Sequence, residues 1–90
     1  MTPEQKRLAR HALGLDGRQE RSYRNRFVTG PGSTDHPEWM QMAEDGAARR
    51  YPASELTGGN DLFCLTITGA RAALDPGESL CAEDFPKQST

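Results

Sequence analysis

Strongly apolar residues are scarce in this chain, and their scarcity limits the folds that it can adopt. Leucine, isoleucine, valine and phenylalanine together fill 13 of the 90 positions, about 14%. A share below about 20% indicates disorder when it accompanies a large net charge. The 11 basic and 13 acidic residues leave a net charge of only −2, so the second condition is not met. We therefore expect one small domain whose core is supplemented by alanine and methionine.

The length and the residue content exclude several classes of protein. Ninety residues are too few for a two-domain enzyme, a large barrel or a doubly wound sheet. No apolar run approaches the roughly 20 residues of a membrane span, so we expect no membrane partner. The N-terminus lacks the apolar core of a signal peptide, and two cysteines are too few for a disulfide-rich secreted scaffold. The sequence therefore predicts a cytoplasmic protein.

Local signals predict three helices. The first covers residues 3–13, because Thr2 and Gln5 have the spacing of a capping box. The second covers about residues 35–48, with Asp or His as its cap and an apolar face that includes the single tryptophan. The third follows the capping Thr66 and covers about residues 67–74. We expect the tryptophan to anchor the core that the helices share.

Two further segments predict a small antiparallel β-hairpin. Residues 48–51 and 62–66 contain aromatic, leucine and threonine side chains, and the glycines between them suit a turn. Residues 22–29 favour either a short strand or a helical turn. We therefore expect the α+β class, with three helices and a small antiparallel hairpin in one domain over residues 1–85. Residues 86–90 are expected to form a flexible tail.

The chain from residue 39 to residue 74 resembles the second half of a winged-helix domain. In that family a helix ends in a glycine and an apolar pair, and a short strand follows. A glycine-rich wing then turns the chain, and a returning strand ends in Leu-Thr before a helix that contains a glycine. The corresponding segments here are residues 46–48, 49–51, 57–60, 62–66 and 68–70.

This resemblance implies a winged-helix-like fold and, as in DNA-binding members, a regulator that binds nucleic acid. Thr66 would end the returning strand and cap the next helix, and Gly69 would allow close packing against the hairpin. The chain departs from the pattern before Pro37. Residues 14–36, which are rich in arginine, glycine and proline, stand where a compact helix-turn-helix would be.

Most of the chain is also similar to small proteins of bacteriophages and prophages of Proteobacteria. The similarity lies in the strings TPEQKRLARHALGL, SYRNRFVTGPG and LFCLTITGARAAL, together with the single Trp39. It implies an origin in a phage or prophage, which would place the protein in the cytoplasm of a bacterial host cell. It implies no activity and transfers no catalytic residue.

Charge is divided unevenly along the chain. Residues 1–30 contain seven basic and three acidic residues, a net of +4, whereas residues 31–90 contain four and ten, a net of −6. A basic segment with aromatic rings suits phosphates and bases, and equally an acidic protein surface. The alternative is a solvated face that pairs with the acidic half, and a pI near 5.6 argues against a dedicated DNA-binding protein. The candidate binding residues are Arg18, Arg21, Tyr23, Arg24, Arg26, Arg49 and Arg50.

No motif in the sequence indicates an enzyme, a metal site or a cofactor. The loop at residues 30–34 lacks the Gly-Lys-Ser/Thr ending of a phosphate-binding loop. The two histidines and two cysteines do not have the paired spacing of a zinc site. Ser33, Asp35 and His36 form a local string, whereas catalytic triads assemble across a fold. We therefore expect no enzymatic activity, no metal and no cofactor.

These features favour a small non-enzymatic binding module that contacts a protein partner. The alternative is a winged-helix-like regulator that binds nucleic acid through the seven candidate residues. The two interpretations make different demands on the fold. Nucleic-acid binding requires that the arginines converge on one open face, whereas the other interpretation allows them to pair with the acidic half.

Overall fold

A computed structural model of the protein describes residues 1–15, 17–55 and 58–85. It confirms the α+β class, and it adds a third strand to the expected hairpin. The predicted tail at residues 86–90 and the predicted start of the wing at residue 57 lie outside the described residues. The elements in chain order are α1 (Pro3–Leu13), β1 (Phe27–Thr29), α2 (His36–Glu44), β2 (Ala48–Tyr51), β3 (Asp61–Leu65) and α3 (Ile67–Ala72).

The two ends of α1 are fixed by the residues that the sequence indicates. Thr2 Oγ1 accepts a hydrogen bond from the backbone N–H of Gln5 at 3.1 Å, and Gln5 Oε1 accepts one from the N–H of Thr2 at 3.1 Å. This reciprocal pair is the predicted capping box. Gly14 follows the helix with a φ of +82°, a left-handed conformation that suits glycine and ends the helix.

The predicted end of α2 near residue 48 is wrong. The helix ends at Glu44, and Gly46 adopts a φ of +82°, so it closes the helix instead of contributing to its apolar face. Ala48 already belongs to β2. At the other end Asp35 occupies the cap position without a side-chain capping bond, because its carboxylate accepts a hydrogen bond from Thr29 Oγ1 at 2.6 Å.

The three strands form an antiparallel sheet in the order β1–β3–β2. The pairing of β2 with β3 confirms the predicted hairpin, and Arg49 lies opposite Cys64 in it. On the other side of β3, Phe27 lies opposite Phe63. Residues 22–29, which the sequence left as either strand or helical turn, therefore contribute a short strand, and β3 is the central one.

The Asn25 side chain extends the pairing of β3 beyond the end of β1. Its Oδ1 accepts a hydrogen bond from the N–H of Leu65 at 2.8 Å, and its Nδ2 donates to the carbonyl oxygen of Leu65 at 3.0 Å. The amide thus replaces a backbone unit of a neighbouring strand. Because Leu65 is only 4% exposed, its backbone groups need such partners.

All three helices pack on one face of the sheet, and Trp39 lies at the centre of that packing. Its ring packs against those of Phe27 and Phe63, at centroid distances of 5.1 and 5.6 Å. The expected role of Trp39 as the anchor of the core is confirmed by its complete burial. The buried apolar residues around it are Leu8, Ala9, Ala12, Leu13, Leu15, Met42, Ala48, Leu65, Ala70, Ala73, Leu80 and Phe85.

The junction between β3 and α3 has the geometry that the sequence predicts. Thr66 donates its backbone N–H to the carbonyl oxygen of Ala47 at 3.0 Å, and its Oγ1 accepts from the N–H of Gly69 at 3.1 Å. One threonine therefore ends the strand and caps the helix. A Cβ atom on Gly69 would lie 1.9 Å from the Ala47 carbonyl oxygen, so only glycine fits there without a backbone shift.

We expect Gly69→Ala to lower the free energy of unfolding by about 2 kcal/mol or more, since the added methyl group overlaps backbone. Gly17→Ala is the matched control, because a Cβ atom there meets nothing within 4 Å. Urea unfolding of the two variants and the parent measures the difference. Equal stability of the two variants would contradict this account of the junction.

Asn25→Ala is expected to cost about 1–3 kcal/mol, because it leaves the buried N–H and C=O of Leu65 without their partners. The control Gln19→Ala removes an exposed amide from the same segment between α1 and β1. It is expected to change the free energy of unfolding by less than about 0.5 kcal/mol. Hydrogen exchange adds a local readout, because the Leu65 amide should exchange faster only in the Asn25 variant. Unchanged protection of that amide would argue against the role of Asn25.

Candidate functional site

Three of the seven candidate residues contact the end of α1. Tyr23 and Arg26 do so through their backbone N–H groups, which donate to the carbonyl oxygens of Leu13 and Ala12 at 3.1 and 3.3 Å. Arg24 donates from Nε and Nη2 to the carbonyl oxygen of His11, at 3.2 and 2.7 Å. This oxygen belongs to the last turn of the helix, where the helix dipole favours a cation. Arg24 also lies over the Tyr23 ring, with 5.3 Å between its guanidinium carbon and the ring centroid. Arg24 therefore has a structural role, while Tyr23 stays 58% exposed.

Arg50 is bound by a buried carboxylate at the start of β3. Asp61 is 3% exposed and accepts hydrogen bonds from His36 Nε2 at 2.8 Å and from Arg50 Nε at 3.1 Å. The backbone N–H of Ala53 donates to it at 3.0 Å. The hydrogen bonds from His36 and then from Arg50 hold the pKa of Asp61 below its ordinary value. The carboxylate therefore ties α2 and β2 to β3.

The pair of His36 and Asp61 has the geometry of two members of a catalytic triad. A nucleophile within hydrogen-bond reach of the imidazole would complete it. In the described part of the chain no hydroxyl or thiol is hydrogen-bonded to the His36 ring, which instead meets Phe63 edge-on at a centroid distance of 5.9 Å. We therefore assign this cluster a structural role.

The remaining arginines of the basic segment are Arg18, Arg21 and Arg26. Arg18 and Arg21 are exposed, and the backbone of Arg21 forms an isolated bridge with Ser79. Arg26 and Arg24 both line a shallow groove of about 220 Å³ beside Val28, at the edge of β1. None of the three arginines forms an ion pair with another described residue. The structure therefore brings Arg24 and Arg26 to one groove, whereas Arg49 and Arg50 lie on β2, which β3 separates from β1.

Lys6 and Arg10 of α1 pair with the acidic half of the chain, whereas Arg7 pairs with Glu4 in the same helix. Lys6 Nζ lies 2.6 Å from Asp75 Oδ1. Arg10 forms a two-point ion pair with Glu78, in which Nη2 lies 2.7 Å from Oε2, and it also donates to the carbonyl oxygen of Ala73 at 3.0 Å. The hydrogen bond from Arg10 lowers the pKa of Glu78 to about 2. Part of the uneven charge distribution therefore forms ion pairs between the basic residues 1–30 and the acidic residues 31–90.

The sheet face that points away from the helices is largely apolar. Strand alternation directs five side chains to this face, since their neighbours in the strands, such as Phe63, point into the core. A solvated face of an antiparallel sheet normally carries polar side chains, whereas only one of these five is charged. We call them the outer face: Val28, Arg49, Tyr51, Leu62 and Cys64.

The free edge of β2 is less open to a partner than the outer face. The Thr66 N–H donates to the carbonyl oxygen of Ala47. Because hydrogen bonds alternate along an antiparallel pair, the backbone N–H and C=O groups of Ala48 and Arg50 point away from β3. Ala48 is buried, and the strand is followed by Pro52, which has no N–H. A partner strand would therefore find little more than the N–H and C=O of Arg50.

A cleft of about 580 Å³ opens where the outer face approaches α3. Arg49 and Tyr51 of β2 line one side of it, and Glu83 and Asp84 of the C-terminal turn line another. Burial raises the pKa of the Cys64 thiol, and the negative charge of Asp84 raises it further. The thiol is therefore neutral near pH 7 and a poor nucleophile.

Neither a metal site nor a membrane span emerges from the described residues. They contain no group of three or more His, Cys, Asp or Glu side chains that is arranged to hold a metal ion. None of their helices has the length and apolar character that crossing a membrane requires. Comparison of the chain with protein-family models, curated proteins and solved structures finds no match. The outer face and its cleft are thus identified by geometry alone.

We expect Glu78→Gln to lower the free energy of unfolding at pH 7 by about 1.5–3 kcal/mol, because Arg10 loses a charged hydrogen-bond partner. The folded-state pKa of Glu78 lies below its ordinary value of 4.5. Its contribution is therefore complete above about pH 4.5 and is lost as the pH falls towards 2. Urea unfolding of the variant and the parent between pH 2.5 and pH 7 measures how the difference between their free energies of unfolding shrinks as the pH falls.

Glu44→Gln is the matched control for that series, since Glu44 is exposed and forms no ion pair with a described residue. Its stability should follow that of the parent at every pH. A difference between the Glu78 variant and the parent that keeps its full size at pH 2.5 would contradict the assigned ion pair.

Proposed function

We propose that this protein is a small non-enzymatic module that binds a protein partner through its outer face. The observation that carries the proposal is the exposure of Val28 and Tyr51, at 47% and 48%, in a chain with 13 strongly apolar residues. Burial of these side chains against a partner would stabilise a complex through the hydrophobic effect.

The arrangement of the apolar side chains supports this proposal. Single exposed apolar residues are common on protein surfaces. Here, however, Val28 and Tyr51 both pair with Leu62, from opposite sides of β3. The three side chains therefore form a row across all three strands, with Cys64 next to it on β3. A continuous row of this kind is a suitable contact surface for another protein.

The charges near the candidate surfaces make nucleic acid the less favoured partner. A winged-helix regulator would insert a helix into a DNA groove. By the resemblance this helix would be α2, because it precedes the hairpin. The charged residues of α2 are Glu38 and Glu44, and the helix contains no lysine or arginine. Glu83 and Asp84 add negative charge beside the outer face. Each of these groups repels phosphate.

The winged-helix-like regulator remains the alternative function, and the exposed Arg18, Arg21 and Arg26 are the residues that favour it. Binding of this kind would weaken steeply with salt. The phage or prophage origin and the cytoplasmic location also stay predictions.

Site-specific photo-crosslinking tests the proposal. A photoreactive phenylalanine analogue replaces Tyr51 on the outer face or, in the control, the exposed Met40 on α2. In bacterial lysate we expect one defined protein to crosslink from position 51 and not from position 40. With that protein purified, the double variant Val28→Asp, Tyr51→Asp should bind it at least about tenfold more weakly, because apolar contacts at an interface centre dominate affinity.

Met40→Asp is the matched variant, since it places the same charge on an exposed apolar position outside the outer face. Thermal unfolding checks that each variant is folded. Equal crosslinking from positions 40 and 51, or crosslinking from position 51 to nucleic acid instead of protein, would overturn the proposal.

A further inference from the structure

The polar groups in the cleft divide into those that are already bonded and those that are not. The amide of Asn25 is bonded to Leu65, and the Thr66 hydroxyl donates to the carbonyl oxygen of Gly46 at 2.8 Å. By contrast, four lining side chains have no hydrogen-bond or ion-pair partner among the described residues. The unbonded groups are Arg49, Tyr51, Glu83 and Asp84.

The charges in the cleft are of opposite sign and remain apart. Arg49 lines the side formed by β2, and Glu83 and Asp84 line the side formed by the C-terminal turn, yet none of their atoms approaches within ion-pair distance. Cys64 also lines the cleft, and it pairs with Arg49 across the strands. A ligand that spans this gap would have to carry both signs of charge.

We propose, on the basis of the proposed function, that the cleft binds a short extended peptide segment of the partner that carries both charges. An acidic side chain of the segment pairs with Arg49, and a basic side chain pairs with Glu83 and Asp84. The apolar residues between them lie on Cys64 and Ile67, which line the cleft. The cleft thus gives the outer face a preference for a charge pattern.

The size and the charge of the cleft favour a peptide over other ligands. Its volume of about 580 Å³ lies within the range of about 300–1,000 Å³ that small-ligand sites occupy, so it suits a few residues. One cation faces two carboxylates, which disfavours a phosphate group. The free edge of β2 offers few backbone groups, so side chains must supply most of the recognition.

Selection from a displayed library of random nonapeptides tests this inference. Peptides selected on the parent protein should be enriched in sequences that contain both an acidic and a basic residue. On the variant Arg49→Glu the enrichment of the acidic residue should disappear, and basic residues should replace it. The peptide selected on the parent should bind this variant at least about tenfold more weakly, because a paired charge becomes a like-charge contact.

Two further variants complete the design. Arg18→Glu makes the same charge change outside the cleft and should leave the selected sequences unchanged. The double variant Glu83→Lys, Asp84→Lys should remove the preference for a basic residue while that for an acidic residue persists.

Selection of the same sequences on the parent and on Arg49→Glu would overturn the inference, as would selection of purely apolar peptides. If crosslinking from position 51 still captured a defined protein in that case, the proposed function would stand without the charge preference. If crosslinking and selection both failed, the proposed function would fail as well.

Discussion

The fold depends on the pairing of β3 along both of its edges. β2 holds one edge, and β1 holds the other with the help of the Asn25 amide. This pairing fixes Phe63 and Leu65 over the helices, where Phe63 stacks on Trp39. A shift by one residue would move both side chains to the outer face, and a chain with so few strongly apolar residues has no replacement for them. The register of β3 therefore determines the core and the outer face together.

Features with local causes are predictable from the sequence, and those with distant causes are not. Thr66 and the glycine three residues after it specify the start of α3, so the helix and its close packing follow from the sequence. The sequence predicts a later end for α2, because Gly46 continues the apolar spacing although its left-handed conformation ends the helix. The ion pair of Lys6 with Asp75 joins residues 69 positions apart, and no local pattern specifies which of the acidic residues Lys6 meets.

The candidate site shows the same division. A run of arginines suggests one basic surface, but the fold binds Arg24 to a helix end and Arg50 to a buried carboxylate. The outer face does have a signal in the sequence, because β3 is apolar at successive positions, a pattern typical of strands that are covered on both faces. Which residues join Leu62 on that face depends on the register, which brings Val28 and Tyr51 to it from segments more than 20 positions apart.

The apolar identity of the outer face is not required by the fold. Val28 and Tyr51 project away from the core, so threonine or lysine at these positions would preserve the pairing of the strands and the packing of the helices. Exposed apolar strands also favour aggregation, and the structure limits this hazard at the edge of β2, where Pro52 follows the strand. The edge is thus protected from strand addition while the face stays open. This combination fits a sheet that meets its partner face-on through side chains, and that mode of contact is the one in which the charges of the cleft can select the partner.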